Sequence, residues 1–351
     1  MNARLREAAR QGAADARAYL STPSVLPNSP LGDFGAGGVA DATARRVLHA
    51  LRVPPVMLAG SSRPLVERYA YWHGARGTLD REAWRRLTQG TAILMYHAVG
   101  PPGEKASRLV VPARRFEQQL RVLRRMRRPV LGLAELVRYR RAGQLPPAGA
   151  VVITLDDGFA DNVELAAPLL RRFGIPATLF VVSDRVGAAA DWDGAADLAS
   201  RPLADWTGLA ELACAGIEIG SHTRTHPRLP ELAPADAADE IAGARDALSA
   251  RLGVDVRSFC YPYGRKTPAV VQIVAEAGFA SACGIERGLN YASTRLHELR
   301  RVPVDGDASM IGFVLGLRFG DPDLLAHTFR RLRAVLRTAR PANARPEAER
   351  P

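Results

Sequence analysis

Four polar clusters each stand directly behind an apolar run: His97 in LMYHAV, Asp156 and Asp157 in TLDDGFADN, His222 and His226 in SHTRTHP, and Tyr263 in FCYPYGR. Consecutive side chains on a regular strand point to opposite faces, so adjacent carboxylates can serve one cleft only where the strand stops and the chain turns. Gly158, immediately after the acidic pair, permits that turn. For the histidines, four extended steps of about 3.3 Å would leave His222 and His226 about 13 Å apart. One metal at about 2.0–2.1 Å from each nitrogen could reach both only if the segment curled. Pro227 and the preceding Ser221, Thr223 and Thr225 favour such a turn. Two histidines and one carboxylate form an open zinc ligand set that leaves a place for water, and a second carboxylate alongside can take a proton from that water. Alternatives stand beside this reading. Paired acids at a strand end also occur in magnesium-dependent phosphotransfer folds, Asp157, Asp161 or Asn162 could cap a helix, and both imidazoles could be hydrogen-bonded loop residues. Magnesium's preference for oxygen ligands sets the histidines against phosphotransfer.

These clusters need a scaffold, and the hydrophobic pattern supplies one from residue 91 onward. Strand-like TAILMYHAV is followed by the amphipathic ARRFEQQLRVLRRM, then the strand PAGAVVITLDDG and the helix NVELAAPLLRRFG. The alternation continues through PATLFVV, TGLAELACAG, IEIGSHT, PADAADEIAGARDALSARLG, VRSFCYPYG, TPAVVQIVAEAG and FASACGI. Such regular alternation predicts a parallel sheet, open or closed into a barrel, and in either form chemistry gathers at the carboxyl ends of the strands. Each polar cluster sits at such an end.

TLDDGFADN, SHTRTHP and FCYPYG, in this order, resemble the first three motifs of the polysaccharide deacetylases, the NodB-homology or carbohydrate esterase family 4 domain, over approximately residues 91–305. The resemblance implies a distorted (β/α) barrel and a divalent metal, commonly zinc, used to hydrolyse N-acetyl groups of amino sugars. Carried over by residue, it implies Asp156 as general base and Asp157, His222 and His226 as metal ligands. It also implies the Tyr263 backbone N–H as a donor to the oxyanion formed when water adds to the amide carbonyl. The sequence departs from the pattern twice. Many members carry a base-orienting arginine where Cys260 stands, and Arg301 in LRRVPV is the candidate replacement; the late Leu-x-His motif that supplies an acid is absent, leaving His327 in LLAHTF. A branch similar to exopolysaccharide N-deacetylases has a permuted strand order and takes its acid from an N-terminal YH strand, which implies His97 as the acid. Histidine suits that task because imidazole titrates near neutral pH.

The chain divides into a mostly helical extension over 1–90, the barrel domain over 91–320, and a tail over 321–351 that reads as basic helix, then disordered. Residues 1–90 faintly resemble the end of bacterial family 2 glycosyltransferases joined to a deacetylase, which implies a membrane-proximal connector or a glycosyltransferase partner; a helical extension packed on the barrel is the simpler reading. The formal charge of +12 invites a polyanion partner, but only Lys105 and Lys266 of 48 basic residues are lysine, the mark of a coding bias towards arginine. Nucleic acid is therefore not expected. Cys214, Cys260 and Cys283 form an odd set without metal-binding spacing and fit a reducing compartment. No run resembles an export signal or approaches the roughly 20 apolar residues of a membrane span. A cytoplasmic location follows as the expectation, with attachment to the inner membrane face left open. Trp192 and Trp206 bracket an insertion where each could stack on a sugar or plug the core. The expected activity is removal of N-acetyl groups from a glycan or lipid-linked sugar; the alternative is a catalytically lapsed glycan-binding or assembly module on the same fold.

Overall fold

The alternating pattern closes on itself. A computed structural model describes residues 3–58, 63–192, 198 and 201–327. Its strands are β1 Ala92–Tyr96, β2 Ala98–Gly100, β3 Val110–Pro112, β4 Val130–Leu131, β5 Val151–Leu155, β6 Thr178–Val181, β7 Glu218–Ser221, β8 Ser258–Cys260, β9 Ser281–Arg287 and β10 Leu299–Pro303. Parallel pairing runs from β1 through β10, β9, β8, β7 and β6 to β5, and β5 pairs back onto β1 from Ala92↔Val151 to Tyr96↔Leu155. The result is a distorted (β/α) barrel of NodB type with a helical extension at its amino terminus. The strand β4 pairs with the start of β5 at Val130↔Val151, while β6 takes its end at Thr154↔Thr178. The first barrel strand in the chain thus fills the closing position between β5 and β10, the permuted arrangement.

Sequence chemistry accounts for these elements. Every residue of β5 is buried, as a parallel strand covered on both faces requires. The helix flanking it, Ala113–Arg125, buries Phe116, Gln119, Leu120 and Leu123 at helical spacing and turns its arginines outward. The single strand expected over TAILMYHAV divides: β1 ends at Tyr96, β2 begins at Ala98, and His97 stands at the break. There β2 leaves the barrel to pair with β3.

The extension contains helices α1 Ala3–Ser21, α2 Gly38–Ala50, α3 Arg63–Thr78 and α4 Arg81–Gln89. The first and third approach so closely that a Cβ at Gly12 would lie 1.9 Å from the Tyr71 carbonyl oxygen, and one at Gly74 equally close to that of Ala9. Phe34 and Tyr291 rings meet with centroids 6.4 Å apart, and Arg46 donates to the Tyr291 hydroxyl at 2.7 Å, joining extension to barrel. After β10, helix α5 Met310–Phe319 runs back along the barrel. Among the described residues no helix is long and apolar enough to cross a membrane. The basic, Pro/Ala-rich tail expected beyond His327 lies outside the described residues.

Candidate active site

The acidic pair turns as its spacing requires. The Asp156 N–H still donates to the Tyr96 carbonyl at 2.9 Å, as a strand residue would, and then Asp157 and Gly158 take positive φ of 74° and 79°. That bend brings both buried carboxylates to one side. The histidine segment curls likewise: Thr223 and His226 have φ of 69° and 66°, and the Thr223 hydroxyl accepts from the His226 N–H at 3.0 Å. Glu240 clamps the outside of this curl, accepting from the N–H groups of Arg224 and Thr225 at 2.9 Å each. The imidazoles end with ring centroids 4.8 Å apart. Beyond β8, Tyr263 sits in the turn Pro262–Gly264 with φ 56°. Four of the six non-glycine positive-φ residues among those described are therefore Asp157, Thr223, His226 and Tyr263. Unfavourable backbone conformations gathered at one place mark a site whose geometry the surrounding packing enforces.

These turns build one cleft of about 320 Å³, lined by His97, Asp156, Asp157, His222, His226, Tyr263 and Arg301 among others. Asp157 Oδ1 lies 3.3 Å from His222 Nε2 and 3.6 Å from His226 Nε2. Ligands at about 2.0–2.1 Å from a tetrahedral centre stand about 3.3 Å from one another, so these three atoms have the spacing of a shared divalent ion. The donors suit one too. His222 Nδ1 faces the Cys260 carbonyl at 2.8 Å, leaving Nε2 for the cleft, the usual outer support of a ligating histidine. Burial and the neighbouring His222 bring His226 down to about 3, which keeps its imidazole neutral and its lone pair available. A second group, Asp156, His222 and Cys260, is also close enough to hold a metal. It suits one less well, because both Asp156 oxygens already accept from Arg301 and burial pushes the Cys260 thiol up, away from the thiolate form.

Asp156 is held differently from its neighbour. Arg301, from β10, donates to Oδ1 at 2.7 Å and to Oδ2 at 2.8 Å, with both side chains fully enclosed. Burial raises the Asp156 carboxyl, but the charge and hydrogen bonds of Arg301, with His97 and His222 nearby, outweigh it and hold the acid well below its ordinary range. Arg301 also contacts Cys260 Sγ at 3.1 Å, so the small thiol at that position leaves room for the guanidinium that arrives from elsewhere in the chain. Thr154, which the sequence reading passed over, accepts from Arg301 Nη1 at 3.2 Å and donates to the Leu94 carbonyl at 2.8 Å. His97 Nε2 lies 3.9 Å from Asp156 Oδ2.

The two tryptophans part company. Trp192 stacks on His226 with centroids 4.6 Å apart and an interplanar angle of 29°, on the cleft wall. Trp206 opens the helix Trp206–Cys214, packs against the core and carries Arg251 over its ring at 4.8 Å. Asp161 caps no helix; it accepts from the Val99 N–H and from Arg201. His327 lies away from the cleft, 2.7 Å from Asp321.

A parallel (β/α) barrel with buried carboxylates and imidazoles at the carboxyl ends of its strands defines the class as a NodB-type barrel protein. Residues 144–282 match the family model described as polysaccharide deacetylase. The Bacillus subtilis protein YxkH, named for polysaccharide deacetylases, is 26% identical over 236 residues, covering 67% of this chain and 79% of its own. Among solved structures, IcaB from Ammonifex degensii superimposes with a TM-score of 0.54 at 27% identity, covering 63% of this chain and 94% of that one. The Streptococcus pyogenes deacetylase PplD, solved with acetate, gives 0.57 at 24% identity over 65% of this chain and 98% of that one, a likeness of fold. The matched segment and these likenesses together support a place in the polysaccharide deacetylase family.

Proposed function

We propose that this protein removes N-acetyl groups from amino sugars in a glycan or a lipid-linked glycan precursor, using a divalent metal, zinc best matching the donors. The observation that carries the reading is the convergence of Asp157, His222 and His226 at ligand spacing beside a second carboxylate pinned by Arg301. Asp157, His222 and His226 would hold the ion, which when bound polarises an amide carbonyl and acidifies water at its open position. Asp156, kept ionised and aimed by Arg301, takes the proton of the attacking water. The Tyr263 N–H donates to the oxygen on which charge develops. His97, whose Nε2 lies 3.9 Å from Asp156 Oδ2, delivers a proton to the departing nitrogen, so that acetate and a free amine leave. Trp192 offers a ring face to the sugar. The lapsed-module alternative rests on Cys260 in the arginine's place and on the absent late Leu-x-His motif; Arg301 against Asp156 speaks against the first ground and His97 beside Asp156 against the second.

The test couples metal analysis of the purified protein to acetate release from a panel of N-acetylated oligosaccharides and lipid-linked sugars, with and without chelator. Acetate release that chelation removes and metal restores is the expected result. Protein that takes up no divalent ion and releases no acetate from any member of the panel would overturn the reading.

A further inference from the structure

At the amino end of the barrel, opposite the cleft, a second cavity of about 350 Å³ opens between the helical extension and the barrel. Its walls fix its place: Gln89 stands just before β1, Arg128 just before β4, and Arg318 in the last turn of α5. The volume falls among those of small-molecule sites, about 300–1,000 Å³. Six arginines line it, Arg46, Arg52, Arg76, Arg85, Arg128 and Arg318, and no aspartate or glutamate does. Among the described residues only Arg85 of these comes within ion-pair distance of a carboxylate, 4.0 Å from Glu82.

The cations are mounted rather than neutralised. Arg46 lies 5.2 Å from the Phe34 ring centroid, Arg76 5.1 Å from that of Trp84, and Arg318 5.8 Å from that of Phe319. Aromatic faces steady a guanidinium while leaving its N–H edge for another partner. Arg46 is further fixed through Nη2 by the Thr88 carbonyl at 2.7 Å, and Arg128 through its own Nη2 by the Leu317 carbonyl at 2.6 Å. Each keeps a second buried nitrogen with no hydrogen-bond partner, Arg46 Nη1 and Arg128 Nε. Burial first, and the charges of Arg318 and Arg46 after it, bring Arg128 down to about 10. A built-in surplus of charged donors around a partly open cavity without a carboxylate on its walls asks for an anion from outside.

We propose that this cavity binds a diphosphate group, carried by a soluble molecule or by a lipid. A carboxylate would meet one cation; a diphosphate brings several charges and enough oxygens for more than one arginine fork, the pairing that guanidinium makes best. The site stands independently of the chemistry assigned to the cleft.

Isothermal titration with inorganic pyrophosphate at physiological ionic strength tests it, run beside sedimentation with phosphatidylcholine vesicles with and without an isoprenyl diphosphate. Saturable one-to-one binding is expected in at least one arm, at least about tenfold weaker in the Arg76→Gln/Arg318→Gln double variant and in Arg128→Gln. Arg76 and Arg318 are both exposed, so that variant keeps its fold, with an unchanged urea denaturation midpoint as the check. Arg121→Gln, an exposed arginine outside the cavity, leaves binding unchanged. Pyrophosphate binding without vesicle retention identifies a soluble ligand, and retention that requires the isoprenyl diphosphate identifies a lipid-borne one. No binding in either arm, sulfate as effective as pyrophosphate, or equal weakening by Arg121→Gln overturns the proposal.

Discussion

At the carboxyl end of the barrel Arg301 lies enclosed against both oxygens of Asp156, whereas at the amino end Arg46 and Arg128 border a cavity with no carboxylate on its walls. The first takes its arginine out of water and the second only partly so, and only the first supplies the counter-charge from within the chain. An internal pair fixes one acid in one protonation state and one orientation, which is what a proton acceptor needs before any substrate arrives. An uncompensated cluster leaves its potential standing for an outside partner. The backbone draws the line less sharply: four of the six left-handed non-glycine residues among those described, Asp157, Thr223, His226 and Tyr263, aim side chains at the cleft, while the other two, Arg52 and Arg127, stand on or next to the cavity wall.

Breaking the internal pair from the acid side should have the largest effect. Asp156→Asn keeps the shape but removes the proton acceptor, and acetate release should fall about 10²–10⁴-fold with metal content intact by mass spectrometry. Loss of metal together with activity would mean that Asp156 is itself a ligand. From the arginine side, Arg301→Gln strands a buried carboxylate and should cost about 3–5 kcal/mol of stability, read in urea denaturation. The Asp156 pKa then rises, because the charge that lowered it is gone, and the acid limb of the kcat/KM profile moves to higher pH. Arg318→Gln at the other end, exposed and unpaired, should change stability by about 0.5 kcal/mol or less. Equal losses in the two variants would erase the distinction between the two ends. A smaller change separates positioning from chemistry within the cleft: His97→Ala should lower turnover about 10²-fold while sparing metal content, and unchanged turnover would remove His97 from the reaction.

The cleft was far more legible in the sequence than the cavity. Asp156, Asp157, His222, His226 and Tyr263 lie in short motifs because each pair or turn is built locally, at the end of a single strand. Strand and helix alternation gave a parallel sheet for the same reason, periodicity being a local property, but left open whether that sheet closes; the barrel was implied only by the family resemblance. Arg301 was visible only as a second arginine in an apolar strand, LRRVPV, and its partner lies 145 residues away. Nothing in the spacing distinguishes Trp192, on the cleft, from Trp206, in the core. The arginine cavity had no sequence signature at all: its residues come from three helices of the extension, the turns on either side of α2, the segment before β4 and α5, against a background in which nearly every basic residue is arginine.

His49, on the wall of that cavity, gives the comparison a pH axis. Its ring packs against Tyr69, His73 and Trp84, with centroids 4.7, 6.3 and 4.8 Å away, and its Nε2 is buried without a partner. Burial, followed by the positive surroundings of His73, Arg45 and Arg76, depresses its pKa from 6.5 to about 3. The folded state therefore keeps His49 neutral where the unfolded chain would protonate it. Its contribution to stability is present above pH 6.5 and is lost as pH falls towards 3, at roughly 1.4 kcal/mol for each unit. Urea denaturation followed by tryptophan fluorescence at pH 7 and at successively lower values should show a steeper loss in the wild type than in His49→Gln, whose side chain takes up no proton. Identical slopes would mean that the ring is solvated in the folded state. Saturating pyrophosphate should flatten the wild-type slope, because a bound anion offsets the added proton in the same enclosure. An anion that leaves the slope untouched would bind somewhere other than beside His49.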